Sequence, residues 1–501
     1  MIPPIRAFPE PGQFTRRRFS NSREYQVGRG CAGSRDGSRS ILAADLSRGQ
    51  GARNVKSTPW FKKIAAFVVI AGFAATAASS ARADLEAYVK APDPAFAWEQ
   101  TAAQATPAGT VYSIDLTSQV WHDITWKHKV RIYEPKTVAH NDTVLLFVTG
   151  GSHNSQAKDS DHVMGFALAK LCGARVAFLP QVPNQPLLGD KTEDALIAET
   201  FVRYLETKDE TWPLLFPMAK SAVRAMDAVQ AWAKKQAKPE VKNFIVTGAS
   251  KRGWTTWLSG AVDDRVIGIA PMVIVMLNLG VQGDNQLKVW GKYSEQIEDY
   301  VNRGLMKVTN TPEGTKLWKM VDPYSFLNRL TKPKMLINGA NDRYWTLDAI
   351  DLYWNDLKGP KYLVELPNAG HGLEKNREWA LNGLGAFFRH TAVGKPLPQI
   401  TWESKPGRPG EVNLTVQTSV EPKSARLWTA SSDSRDFRES KWSSSPLPVG
   451  TTISGIAKKP ADAKNIAAFI DLEYEVEGIP YHLTTSFAET TPLPAVRAAS
   501  R

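Results

Sequence analysis

One stretch constrains the fold more than any other: Phe244-Ile245-Val246-Thr247-Gly248-Ala249-Ser250-Lys251-Arg252-Gly253-Trp254. An apolar run climbs to a serine set among small residues, and a helix-compatible run follows. In such a pattern a strand ends, the backbone turns sharply, and Ser250 is held strained and exposed at the start of a helix. Small residues at Gly248 and Gly253 are needed because strand and helix pass close together there. The usual spacing, Gly-x-Ser-x-Gly, is displaced: Arg252 takes the last glycine's place and Gly253 comes one residue later. Taken alone, the stretch is equally a plain strand-to-helix turn.

Two later segments supply partners in the chain order that an α/β-hydrolase uses, acid and then histidine. Met335-Leu336-Ile337-Asn338-Gly339-Ala340-Asn341-Asp342 is a short apolar strand ending in glycine and an aspartate. Tyr362-Leu363-Val364-Glu365-Leu366-Pro367-Asn368-Ala369-Gly370-His371-Gly372 is another strand, then a glycine-flanked histidine. The interval between Asp342 and His371 suits one helix, about Leu347 to Leu357, and one strand. His371 would take the serine proton and return it to a leaving group, with Asp342 fixing the imidazole tautomer. Upstream, Thr143-Val144-Leu145-Leu146-Phe147-Val148-Thr149-Gly150-Gly151 reads as a buried strand ending in Gly-Gly. An early loop and the residue after the nucleophile donate the oxyanion-hole N–H groups in this fold. That nominates Gly151 and Lys251; an ordinary Gly-Gly turn is the alternative for the former.

The net charge of +12 would suggest an acidic partner, but its distribution does not. Of 62 basic and 50 acidic residues, 14 and 4 fall within residues 1–83, leaving 48 and 46 for the rest. The body carries no nucleic-acid footprint. The basic segment contains an export signal: Lys62-Lys63, an uncharged apolar run from Ile64 to Ala78, and the cleavage pattern Ala81-Arg82-Ala83. A bilayer span needs about 20 apolar residues, so this is a signal peptide rather than an anchor. No membrane span is expected after processing. Residues 1–54 lack hydrophobic periodicity and read as a non-native or disordered leader; Val55 would start a signal peptide of ordinary length, 55–83. The protein is therefore expected in the periplasm or outside the cell. Cys31 lies in the removed part and Cys172 reads as a buried core residue. The histidines show no metal-ligand spacing, so neither metal nor cofactor is expected.

From Gly109 onward strand patterns give way to alternating helix and strand. Helix-like runs lie near His162–Cys172, Thr192–Glu206 and Phe216–Lys235. This predicts a mostly parallel sheet with helices on both faces, occupying 84–395, whose strand ends carry every candidate above. Insertions near 180–217 and 277–330 interrupt the order; the second, aromatic and partly helical, is either a lid or a packed subdomain. Beyond the linker Gly394-Lys395-Pro396-Leu397-Pro398, alternating runs between turn residues predict a small β-sandwich over 396–490, then a tail, 491–501.

The segments Leu116–Trp121, Gln181–Pro186, Pro217–Asp227, Gly248–Trp254 and Asn338–Trp345 resemble the PhoPQ-activated pathogenicity-related protein family of exported bacterial proteins. The resemblance implies an α/β-hydrolase-like fold and a link to envelope stress or virulence, with no settled substrate. The serine turn is also similar to that of glucuronoyl esterases, where an arginine after the serine helps hold the oxyanion; Lys251 stands at that position. A hydrolase joined to a β domain is reminiscent of prolyl-oligopeptidase relatives, although their β domain is an N-terminal propeller.

Two readings follow: an exported serine hydrolase acting on an ester or amide, small-molecule, peptide or glycan, or a catalytically silent relative that binds a glycan, peptide or envelope component. The oligomeric state stays open. Export predicts that the processed chain begins at Asp84, checked by N-terminal sequencing of the secreted protein; a chain retaining Lys62 would overturn the assigned cleavage.

Overall fold

From Thr143 to Val148 every residue is buried, with Val144, Leu146 and Val148 in one apolar cluster and Leu145 and Phe147 in a second. A strand apolar on both faces belongs inside a sheet covered on both sides. The computed structural model describes residues 84–490 and places it there. The leader, signal-peptide and tail assignments (1–54, 55–83 and 491–501) lie outside the described residues.

The strands are β1 (Ala97–Thr106), β2 (Gly109–Trp121), β3 (Ile124–Pro135), β4 (His140–Val148), β5 (Ala174–Leu179), β6 (Asn243–Ala249), β7 (Val266–Met272), β8 (Lys334–Gly339) and β9 (Lys361–Leu366). Their order in the sheet is β1-β2-β3-β5-β4-β6-β7-β8-β9. β1 to β3 form an antiparallel opening, β3 meets β5 antiparallel, and from β5 to β9 all neighbours are parallel. The exchange of β4 and β5, with the serine strand following β4 in space, is the α/β-hydrolase arrangement.

The helices are α1 (Leu85–Lys90), α2 (Asp159–Cys172), α3 (Glu193–Thr207), α4 (Leu215–Lys235), α5 (Lys251–Val262), α6 (Leu279–Trp290), α7 (Glu298–Asn302), α8 (Pro312–Val321) and α9 (Arg377–Ala392). α1, α3, α4 and α5 bury their apolar residues with one face of the sheet, and α2 and α9 with the other. Cys172 is free and buried on α2.

The C-terminal strands are β10 (Ile400–Pro406), β11 (Glu411–Thr418), β12 (Ser424–Ser432), β13 (Ser443–Leu447), β14 (Thr452–Lys458), β15 (Asn465–Val476), β16 (Ile479–Thr484) and β17 (Ala488–Glu489). They form two antiparallel sheets, β10-β11-β14 and β13-β12-β15-β16, with β17 on β15. The period-2 burial of β11 and β14 turns Leu414, Val416 and Ile453 inward, in one cluster with Leu427 and Ile470 of the second sheet. That cluster continues without a seam into α9 and the body. His482 of β16 stacks on Trp379 of α9 with ring centroids 3.8 Å apart. Thr484 Oγ1 accepts from the Glu365 N–H (3.0 Å), so the C-terminal sheet covers the open edge of β9.

The helix expected at Leu347–Leu357 is instead two 3₁₀ turns, Leu347–Leu352 and Trp354–Asp356. Side chains of α6 and its cap take the carbonyls that a regular helix would use: Gln282 Nε2 donates to Ala349 O (3.2 Å) and Asn278 Nδ2 to Leu352 O (3.2 Å). Among the described residues no helix is long and apolar enough to cross a membrane.

The serine turn is as tight as its sequence requires. A Cβ on Gly248 would stand 2.7 Å from Arg252 O, and one on Gly253 2.6 Å from Ile274 Cγ2 and 2.9 Å from Met272 O. Gly248→Ala should therefore cost about 1–3 kcal/mol, the range for overpacking, read as a lowered thermal midpoint; an unchanged midpoint would show that the turn can open.

Candidate functional site

Ser250 occupies the junction of β6 and α5 with φ 58° and ψ −124°, a conformation that non-glycine residues rarely take. The strain is held by bonds on both sides: Ser250 N donates to Met272 O (2.9 Å) and Trp254 N donates to Ser250 O (3.0 Å). Asp342 follows β8 and His371 follows β9, and the structure brings all three side chains together. His371 Nδ1 lies 2.7 Å from Asp342 Oδ2, and Nε2 lies 2.9 Å from Ser250 Oγ. A carboxylate only accepts, so Nδ1 carries the proton and Nε2 is free to accept from the serine hydroxyl.

The two loops are locked to each other and to the connection between β12 and β13. A Cβ on Gly339 would stand 2.5 Å from the carbonyls of Ala369 and Gly370, so its absence lets the histidine loop lie against the acid strand. Tyr344 N donates to Asp342 Oδ1 (2.9 Å), and the Tyr344 ring lies against the His371 ring at 4.2 Å. Asn341 Nδ2 donates to the carbonyls of Phe437, Arg438 and Ser440, at 2.7 Å for the last. Asn368 exchanges two bonds with the Trp442 backbone, at 2.9 and 2.8 Å.

The glycine loop leaves β4 beside the serine turn, because Val148 pairs with Gly248. Gly151 has φ 113°, and Lys251, first residue of α5, has an N–H without an intrahelical partner. The segment Gln181–Gln185 fixes this loop: Gln181 N donates to Gly150 O (2.9 Å), Val182 N to Thr149 O (3.1 Å), and Gln181 Nε2 to His153 O (3.1 Å). Arg252 explains the displaced motif. Its guanidinium fills the room against Gly150, where a Cβ would meet Nη2 at 2.3 Å. It donates through Nε to Val182 O and through Nη1 and Nη2 to both Glu193 oxygens, at 2.7 Å each. Burial opposes charge on Glu193, but Arg252 and Lys251 hold its carboxyl well below the usual range.

The Lys251 ammonium is committed to carboxylates, 2.8 Å from Asp194 Oδ2 and 3.3 Å from Glu193 Oε2. The side-chain oxyanion role implied by the glucuronoyl-esterase likeness is thus replaced by an ion pair. Asp194 also accepts from Tyr300 (2.9 Å) and Tyr344 (3.2 Å), tying α3 to the 277–330 insertion and to the ring over His371. Burial, then the Asp194 charge, raises both phenols above their ordinary range.

The 277–330 segment roofs a cavity of about 780 Å³, counted with the solvent at its mouth, which Ser250, Lys251 and His371 line. Among the described residues no cluster of three potential metal ligands occurs. Sequence reasoning missed Glu193, Asp194, Tyr344, Asn341 and Asn368, whose roles rest on partners 57 to 150 residues away. The Gln181–Pro186 and Asn338–Trp345 blocks were the available signal.

The model of the PhoPQ-activated pathogenicity-related protein family matches residues 85–438. "Autocrine proliferation repressor protein A" of Dictyostelium discoideum is 32% identical over 424 residues, covering 78% of this chain and 85% of that protein. Among solved structures, acetyl xylan esterase 1 from Thermoanaerobacterium sp. is 18% identical, with 60% of this chain and 91% of that chain covered and a TM-score of 0.44. A glucuronoyl esterase from Solibacter usitatus is 15% identical, covering 62% and 91%, with a TM-score of 0.40.

Behind Asp342, the buried Glu365 accepts from Asn338 Nδ2 (3.1 Å). Burial, with the Asp342 charge adding to it, pushes its carboxyl up from 4.5 to about 8. Between those values the folded chain holds a proton that the unfolded chain has released, so rising pH weakens the fold, by up to about 1.4 kcal/mol per pH unit for one such group. Glu365→Gln should flatten the fall in thermal midpoint between pH 5 and 8; an undiminished fall would place the titrating group elsewhere.

Proposed function

The chain belongs to the PhoPQ-activated pathogenicity-related protein family, and from the relay built into it we propose that it is an exported serine hydrolase working by acyl transfer. The observation that carries the reading is the unbroken line from Asp342 through His371 to Ser250, at 2.7 and 2.9 Å, on a strained serine turn. Three groups from the ends of three different strands meet in the geometry that nucleophile activation needs.

In the first step the Ser250 oxygen adds to the carbonyl carbon of an ester or amide as its proton passes to His371 Nε2. The imidazolium is stabilised by Asp342. The Lys251 and Gly151 amides receive the developing oxyanion. The bond to the leaving alcohol or amine then breaks, with the proton delivered from His371, and an acyl-enzyme remains. Water activated by the same histidine adds to the acyl carbon and releases the acid, restoring the serine. The signal-peptide pattern read at 55–83 supports a site of action in the periplasm or outside the cell, and the family description supports an envelope or virulence role.

A broad fluorophosphonate should label the wild-type protein, and Ser250→Ala and His371→Ala should abolish the labelling. Asp342→Asn should slow it by on the order of 10⁴-fold through loss of the correct tautomer. A folded wild type that never labels would overturn the hydrolase reading in favour of a binding protein.

A further inference from the structure

The cavity beside Ser250 is walled by Trp254, Ile274, Met276, Leu279, Met306 and Trp318. Most of its polar groups are already engaged, the indole N–H groups of Trp318 and Trp345 being buried without a partner. Lys251 and Asp194 neutralise each other, and the tyrosine hydroxyls of 300 and 344 donate to Asp194. Gln282 Nε2 donates to Leu277 O (2.9 Å) and Ala349 O (3.2 Å). Gln286 donates to Tyr344 O and accepts from Ser294 N, both at 2.9 Å. A sugar with several hydroxyls or a uronate carboxylate placed here would lose its water for two indole N–H donors at most, which costs free energy that an apolar group does not lose.

The roof settles which half of the substrate the cavity suits. α6, the 3₁₀ turn Glu295–Ile297 and α8 cover it with Leu279, Gly283, Ile297 and Trp318. In acyl transfer the leaving group must depart before water enters, whereas the acyl group stays on the serine through both steps. A roofed apolar chamber is therefore a place for the retained half.

We propose, resting on the hydrolase reading above, that the substrate carries an uncharged apolar acyl group, aliphatic or aromatic, which fills this cavity. Gly283 sets part of the depth: a Cβ there would stand 2.6 Å from Met306 Cε, the end of a flexible chain that can move aside. A larger side chain at 283 would take up room that the acyl group uses.

The test is a series of p-nitrophenyl esters from acetate to octanoate, beside methyl glucuronate and acetylated xylose, on the exported full chain and on Gly283→Leu. The wild-type kcat/KM should rise about 4-fold per added methylene while the cavity fills, the equivalent of about 0.8 kcal/mol per buried methylene. Gly283→Leu should shift the optimum to shorter esters. A protein that labels at Ser250 yet prefers acetate or the sugar esters would overturn the apolar acyl group and leave the hydrolase reading standing. A protein that neither labels nor turns over any ester would overturn the hydrolase reading itself.

Discussion

The bidentate pair between Arg252 and Glu193 is the contact on which the rest of the site depends. Arg252 is the second residue of α5, where a small residue would ordinarily let strand and helix close up. Its guanidinium occupies the space under Gly150 and reaches Val182 O and Glu193 at once. One planar fork therefore joins the serine turn, the glycine loop and the start of α3. Lysine could not replace it, since a single ammonium lacks the paired donors that fix orientation as well as charge.

A second layer of charge grows from that pair. Glu193 and Asp194 are consecutive at the start of α3, and they divide the two cations that follow the serine, Arg252 and Lys251. Asp194 then spreads outward through two phenols to the aromatic roof and to the ring against His371. The polar groups are thus consumed beneath and beside the serine, which leaves the chamber next to it apolar.

The parts legible in the sequence were those set by short-range rules. Ser250, Asp342 and His371 could be picked out because each ends an apolar strand beside glycine, where backbone conformation restricts the choice of residue. The strands around Val144–Val148 and Tyr362–Leu366 declared themselves by apolar runs, the second broken only at Glu365. β1 did not, because Ala97–Thr106 is an edge strand with neither a buried face nor β-branched enrichment. The 347–357 stretch carried helical periodicity, but its carbonyls were claimed by Gln282 and Asn278 from distant sequence. Asp194 and Asn341 were illegible for the same reason. A carboxylate or an amide has no local signature when the partner that defines its role lies elsewhere in the chain.

The asparagine clamps have a consequence for how the molecule comes into being. A chain synthesised from its N-terminus presents Ser250 long before residues 437–442, to which the Asn341 and Asn368 side chains bond. Until that segment arrives, the loops bearing Asp342 and His371 lack their outer support, and β9 has an uncovered edge. The order of emergence thus acts as a timer: the serine waits, unassisted, until almost the whole polypeptide has been made.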